Sequence, residues 1–282
     1  MKTLALIVVC YITLVACHST NAQEQKEKST PDQAMFDRGI SFCDKGDFAS
    51  GAAVFRKLMV EYPKSPMVAR AHYNVGYLSF KLKDYEVAKL ILNEILEKSY
   101  NEQDENTLME PYALYKHHTC RLLAEIALEE KDYDAAEKYI QLFDKEYPYQ
   151  HFCGNEWAAY HMYVAIMQAR LYEGRHEAQK ALNELLPYIF ENGLASNQQV
   201  LDEIIVVLEK NYSKEAIQTE LNRALASLSV KEAKKQKRYS MMLYGVKVDI
   251  NPYFVNDDKS KTTERERYEK AVKENALFKK FL

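Results

Sequence analysis

The sequence predicts an all-α fold, a right-handed solenoid of helical hairpins, from three observations. First, 47% of the 282 residues are apolar, so the chain can bury a large core. Second, the chain contains only 8 glycines and 7 prolines, fewer turn-forming residues than an all-β chain of this length needs. Third, one pattern of small, aromatic and proline residues recurs along the first half of the chain.

The N-terminal residues 1–22 predict an export signal. A positively charged start, Met1-Lys2, precedes an apolar stretch over residues 4–16 that is too short to span a membrane and typical of a secretory signal. Two interpretations of its cleavage remain open. In one, the mature chain begins at Gln23. In the other, the signal is residues 1–16, because Leu-Val-Ala-Cys, which ends at Cys17, resembles a bacterial lipobox whose cysteine is lipidated.

The residues that follow the signal, 23–31, are polar and contain no aromatic side chain. Such a composition cannot bury enough apolar surface to fold. We therefore expect a flexible tether under either cleavage interpretation.

A repeated helical hairpin is predicted from residue 32 onward. In each block, small residues let two helix backbones approach closely, and an aromatic residue that follows an Asp begins the second helix. Pro63 and Pro148 end helices, because proline has no N–H to donate. The small residues are Gly39, Gly76 and Ala124 in the first helices and Gly51, Ala88 and Ala136 in the second; the aromatic residues are Phe48, Tyr85 and Tyr133. The expected hairpins lie near residues 32–63, 69–99, 117–147 and 156–191.

These blocks resemble the tetratricopeptide repeat (TPR), a helical hairpin that stacks into solenoids and binds proteins. The resemblance covers residues 32–148 closely and 156–192 weakly, so it implies a TPR-like region over 32–192. The sequence pattern from Phe55 to Gly76 is similar to repeats of bacterial envelope proteins, such as the β-barrel assembly lipoprotein and the Tol-Pal coordinator. The sequence departs from the family at Met35, His72 and Cys120, where an aromatic is usual, and by a polar insertion at 101–111.

The remaining residues, 193–282, predict a degenerate helical repeat, a short extended segment and a C-terminal capping helix. Apolar periodicity indicates a helix pair at 198–209 and 214–228, with Ser213 as the N-cap residue of the second helix. Residues 263–282 predict a final amphipathic helix. A terminal helix of this kind covers the last apolar face of a solenoid.

The segment between these helices is predicted to change conformation at a glycine. Residues 230–244 indicate a helix that ends at Gly245 in a left-handed conformation. Alternating apolar residues over 246–250 indicate a strand, and a hairpin across 239–250 is the alternative interpretation. A loop is expected at 256–261.

The sequence predicts no enzyme, no cofactor and no metal site. It contains no nucleophile elbow, zinc-protease motif or glycine-rich phosphate loop. His117-His118-x-Cys120 and His151-x-Cys153 have metal-like spacing, but adjacent helical residues point about 100° apart. We expect Cys43, Cys120 and Cys153 to be inert thiols, with one disulfide through Cys153 as the alternative.

The concave face of the predicted solenoid is the candidate binding surface, because the first helix of each hairpin lines it. Tyr and Arg dominate protein-binding surfaces. Tyr73 and Tyr77 have a second interpretation, in which they pack between helices. The repeats that clamp chaperone carboxylates need Lys and Asn where this chain has Phe36 and Ile40, so that subtype is excluded. The predicted groove residues are Arg70, Tyr73, Asn74, Tyr77, Lys81, His118, Arg121 and Glu125.

Together these features predict a non-catalytic interaction scaffold or adaptor of the bacterial cell envelope, which binds a protein or peptide partner in the groove. The alternative is an outer-membrane accessory lipoprotein for glycan or nutrient uptake. A net charge of −3, from 38 basic and 41 acidic residues, argues against nucleic-acid binding. We expect the chain to be exported, either as an outer-membrane lipoprotein attached through Cys17 or as a periplasmic protein.

Overall fold

A computed structural model describes residues 29–101, 113–151, 153–191, 195–233, 236–252, 255 and 263–282. The predicted signal, Cys17, most of the tether, most of the polar insertion and the loop at 256–261 lie outside the described residues. Among the described residues, no helix is both long enough and apolar enough to cross a membrane.

The described chain is mainly helical, with tandem hairpins followed by a small sheet and two closing helices. The first four hairpins confirm the repeat spacing predicted from the sequence. Their helices are α1 (Pro31–Asp44), α2 (Phe48–Glu61), α3 (Val68–Lys81), α4 (Tyr85–Glu97), α5 (Tyr115–Glu129), α6 (Tyr133–Gln141), α7 (Gly154–Gly174) and α8 (Ala178–Leu185). The later elements are α9 (Gln198–Asn211), α10 (Lys214–Ala226), β1 (Ser229–Ala233), β2 (Gln236–Leu243), β3 (Val246–Ile250), α11 (Glu264–Glu274) and α12 (Ala276–Phe281).

The small residues of the repeats lie where helices touch, as predicted. A Cβ added to Gly76 would lie 2.8 Å from Leu92 Cδ2, and one added to Gly39 would lie 2.6 Å from the Phe55 ring. Ala88 and Ala136 are fully buried. Because real Cβ atoms do not approach other atoms so closely, these positions set the spacing of the paired helices.

The tight turns inside the first three hairpins each combine a left-handed residue with an Asp that caps the second helix. Lys83 and Lys131 have φ angles of 59° and 62°, and each precedes an Asp. Asp84 and Asp132 accept hydrogen bonds from backbone N–H groups in the first turns of α4 and α6, at 3.4 and 3.1 Å. The Asp-aromatic pair therefore marks the start of a second helix for a physical reason: the carboxylate satisfies an otherwise unpaired N–H.

The predicted helix over residues 230–244 is wrong. This segment forms most of β1 and all of β2 of an antiparallel sheet with strand order β1-β2-β3. The alternative hairpin is correct, since Tyr239 pairs with Ile250. Tyr244 and Gly245, at φ 48° and 77°, form the two-residue turn, so Gly245 reverses a strand rather than ending a helix.

The sheet and the closing helices share one apolar core with the last hairpins. Met241, Leu243 and Val248 are buried against side chains of α8, α9, α10 and α12. The predicted single helix at 263–282 is interrupted at Asn275, whose side chain accepts from Leu277 N and donates to the Ile189 carbonyl, both at 3.0 Å. This interruption lets α12 pack against both α9 and α10.

Candidate functional site

An inner row of first helices forms the candidate binding surface. Helices α3, α5, α7 and α9 contact one another in succession. Every predicted groove residue lies on α3 or α5. The solenoid therefore brings residues between Arg70 and Glu125 onto one row of helices, as the repeat register implies.

On α3, the predicted groove residues differ in how far they are exposed. Arg70 and Lys81 are exposed, and the Arg70 guanidinium lies 5.6 Å from the centre of the Phe36 ring. Tyr73 and Tyr77 are half-buried, with stacked rings 6.4 Å apart. The two tyrosines are thus partly packed between helices, which was the second interpretation of the sequence, because their rings lie against the apolar cluster that includes residues of α5.

Tyr73 connects α3 to α5. Its ring lies 6.2 Å from that of Tyr115 and 6.1 Å from that of His118. Burial raises the pKa of Tyr73 to about 12, so its hydroxyl keeps its proton at neutral pH. Asn74, one residue further along α3, is also half-buried.

On α5, the predicted residues Arg121 and Glu125 both contact Tyr163 of α7. The Arg121 guanidinium lies 5.4 Å from the centre of the Tyr163 ring, and the Tyr163 hydroxyl donates to Glu125 Oε1 at 2.6 Å. Glu125 is therefore held by a tyrosine and not by the arginine one turn away. In the described part of the chain, Arg121 makes no ion pair, and its buried Nε has no hydrogen-bond acceptor.

His117 and His118 have different roles despite being adjacent. His117 Nδ1 donates to the carbonyl oxygens of Phe143 and Tyr147, at 3.2 and 2.8 Å. Both carbonyls lie where the helix ends, Phe143 in the π-helical turn over Leu142–Glu146 that follows α6 and Tyr147 directly after it. The last C=O groups of a helix have no partner within the helix and need one from a side chain. His117 is thus a structural residue that fixes the end of α6.

His118 faces the groove. Its Nδ1 is buried without a hydrogen-bond partner in the described residues. Burial, with smaller contributions from the neighbouring His117 and Arg121, lowers its pKa to about 3, so the imidazole is neutral at physiological pH.

The metal-like spacings in the sequence do not assemble a metal site within the described residues, where no group of three or more His, Cys, Asp or Glu side chains could hold an ion. His151 Nδ1 accepts from the Cys153 backbone N–H at 3.0 Å. Cys43, Cys120 and Cys153 are free thiols, and burial raises the pKa of Cys120 to about 12. A thiol with so high a pKa is unreactive at neutral pH.

An aromatic cluster that the sequence did not predict lies beside Arg121. The rings of Tyr149 and Tyr160 are stacked at 5.3 Å, and Trp157 meets both edge-on at 5.9 and 6.0 Å. Trp157 Nε1 donates to the His151 carbonyl at 2.7 Å. The sequence indicates this cluster only through the high density of aromatic residues between positions 147 and 163. That density does not predict that the aromatic side chains contact α5.

A cavity of about 320 Å³ opens between these elements on the inner face. Arg121 Nε and His118 Nδ1 are buried atoms of its lining that have no hydrogen-bond partner among the described residues, and the exposed Glu156 lies at its rim. The rest of the lining is aromatic, aliphatic or amide in character. The lining residues are His117, His118, Arg121, Tyr149, Glu156, Ala159, Tyr160, Tyr163 and Gln199.

A second, larger cavity of about 510 Å³ lies at the other end of the same helices. Glu125 and Arg170 line it together with the aromatic residues that begin α4 and α6. Arg170 is already paired, since its Nε donates to Glu203 Oε2 of α9 at 3.0 Å. This end of the groove therefore has no unpaired arginine comparable to Arg121.

Comparison with known families identifies one element of the chain. Residues 33–65 match the tetratricopeptide repeat family. They comprise most of α1, all of α2 and the Pro-containing joint that leads to α3. The stacked hairpins that follow make the fold a TPR-like helical solenoid. No curated protein and no solved structure matches the chain.

Proposed function

We propose that the chain is a non-catalytic interaction scaffold of the bacterial cell envelope that holds a segment of a partner protein against the inner row α3, α5 and α7. A detected TPR repeat supports the general role, because such repeats bind proteins through their inner helices. The envelope location rests on the predicted export signal and on the likeness of Phe55–Gly76 to bacterial envelope repeats.

The observation that carries this proposal is the composition of the inner face. It combines exposed cations, Arg70 and Lys81, with half-buried tyrosines and an arginine that lacks an acidic partner in the described chain. Rigid aromatic side chains and arginines provide most of the energy in protein interfaces. An exposed face of this composition is typical of a surface that binds another protein.

Glycan binding has less support. Glycan-binding faces present flat, exposed aromatic rings, but Trp157 is half-buried and packs edge-on against two tyrosines. Its indole N–H is also occupied by the His151 carbonyl. We therefore treat glycan retention as an alternative outcome of the test.

The test compares charge reversals on two faces. Arg70→Glu with Lys81→Glu changes exposed groove residues, and Arg56→Glu changes an exposed residue of α2 as a control. Tagged proteins would be purified from envelope extracts, and the retained proteins quantified by mass spectrometry. We expect the groove double variant to lose a defined partner by at least about tenfold, while the control keeps it.

Equal retention by all variants would contradict the proposal. So would retardation of the wild type by envelope glycans in affinity electrophoresis without any retained protein. Matching helical circular dichroism spectra of the variants would show that a loss is not caused by unfolding.

A further inference from the structure

The cavity beside Arg121 contains an incompletely satisfied charge. The Arg121 guanidinium is half-buried, packs on Tyr163 and has no ion pair or hydrogen bond to any described residue. Buried arginines are normally paired with a carboxylate, because removing a charge from water is costly. Here the acid one turn along α5, Glu125, is bonded to Tyr163 instead.

The shape and charge of the cavity limit what can fill it. Its volume, about 320 Å³, fits a side chain or small group and not a folded domain. It contains one permanent positive charge, from Arg121, and an acid at its rim, Glu156. This balance suits a single negative charge better than a phosphate dianion, which requires several cations.

We propose that this cavity binds a carboxylate, supplied by an acidic side chain of the partner segment. Arg121 donates hydrogen bonds to the carboxylate oxygens, and the neutral His118 offers a further polar contact. Tyr149, Tyr160 and Tyr163 enclose the methylene groups that carry the carboxylate. The inference rests on the proposed function, because it assigns the chemistry of one position of the bound segment.

The pocket differs in position from the chaperone carboxylate clamp excluded above. It lies between the third and fourth hairpins, with Gln199 of α9 completing the wall. An acidic side chain in the middle of an extended segment can enter it, since the groove continues past the cavity toward α3. The occupant is therefore an internal Asp or Glu, and a free C-terminal carboxylate is a distinguishable alternative.

The test uses small probes and needs no partner. Phenylacetate combines an aromatic ring with a carboxylate, and phenylacetamide is its neutral counterpart. Both would be titrated into the ¹⁵N-labelled full chain while the arginine Nε–Hε signals are recorded by NMR. The buried Nε of Arg121 slows proton exchange, so its signal is observable; Arg121→Gln or Arg121→Lys identifies it by its loss.

We expect phenylacetate to shift the Arg121 signal in a saturable way and phenylacetamide to leave it unchanged. Arg170, whose Nε is already bonded to Glu203, is the internal control and should not respond. Arg121→Gln should weaken phenylacetate binding by at least about tenfold, the effect of losing a charge-assisted hydrogen bond.

An unmoved Arg121 signal, or equal shifts with the amide, would overturn the inference. Tighter binding of inorganic phosphate than of phenylacetate would show that the cavity prefers a phosphate group, and the carboxylate assignment would be wrong. Tighter binding of a peptide with a free C-terminus than of an amidated peptide with an internal Asp would contradict the proposal that an internal acidic side chain occupies the cavity. Because these results do not depend on partner retention, they leave the charge-reversal test of the groove independent.

Discussion

Enlarging Gly76 tests the close contact between α3 and α4 that the repeat register predicts. A Cβ at this position would lie 2.8 Å from Leu92 Cδ2, 3.2 Å from Leu92 Cγ and 3.3 Å from Ile91 Cγ2. The backbone is an ordinary helix, so replacing glycine also removes a helix penalty of about 1 kcal/mol. The sign of the result therefore depends on how far Leu92 can move.

Two substitutions separate these effects. In Gly76→Ala, a shift of the flexible end of Leu92 relieves the contact, and the gain in helix propensity roughly offsets the strain. Gly76→Leu adds three further carbons, and overpacking of this kind costs about 3 kcal/mol at the upper end of its usual range. After the helix gain of about 1 kcal/mol, we expect a net loss of about 2 kcal/mol.

Native-state hydrogen exchange measures this loss locally, which matters because a solenoid can open repeat by repeat. The opening free energy of the α3 and α4 amides should fall by about 2 kcal/mol in Gly76→Leu. Gly154→Ala is the matched control, since nothing lies within 4 Å of a Cβ added there. If Gly76→Leu exchanges like the wild type, the assigned register of the repeats is incorrect.

Three further predictions follow from other parts of the chain. Lys83→Gly should stabilise the protein by about 0.5–1 kcal/mol in urea unfolding, because Lys83 is left-handed at φ 59°, whereas Lys45→Gly, at φ −86°, should not. His118 has a pKa of about 3 in the folded chain against an ordinary 6.5, so its contribution to stability is complete above about pH 6.5 and is lost as the pH falls toward 3. In His118→Gln, the free energy of unfolding should therefore depend less on pH over this range. Cys17→Ser should release the protein from membranes into the soluble envelope fraction.

Each of these predictions has a clear contrary result. Equal responses of the two lysine variants would show that the left-handed turn carries no strain. The same loss of stability on acidification in His118→Gln would assign that loss to other groups. A membrane-extracted mature protein that begins at Gln23 would exclude lipidation at Cys17.

The sequence was sufficient to predict the repeats because their signals are local. The N-cap at Asp84 and the tight spacing at Gly76 each follow from a few residues near the position itself. The helix predicted over residues 230–244 is wrong because the sequence signal for a strand is weak there. Tyr239, Met241 and Leu243 alternate with period two, but so short an alternation is recognised as a strand only when the core that buries it is known. Their burial against α10 and α12 outweighs the helical propensity of the preceding basic residues.

The candidate site was predictable only at the level of the helix face. The repeat register predicts that Arg121 lies on a first helix, and it lies on α5. That Arg121 has no acidic partner among the described residues depends on Tyr163, which lies 42 positions further along the chain and bonds to Glu125. The exposure of Tyr73 likewise depends on Tyr115 and His118, which follow the polar insertion. Contacts between repeats of this kind cannot be predicted from the residues that lie next to each position in the sequence.

The most direct test of the account is site-specific photo-crosslinking in cells. A photoreactive phenylalanine would replace Lys81, an exposed residue at the end of α3, or Leu90, which is 61% exposed on α4. If the inner row binds a partner segment, the residue at position 81 gives one discrete adduct that maps to a single segment of the partner, and the residue at position 90 gives none. An adduct at position 90 alone, or equal adducts at both, would contradict binding on the concave face.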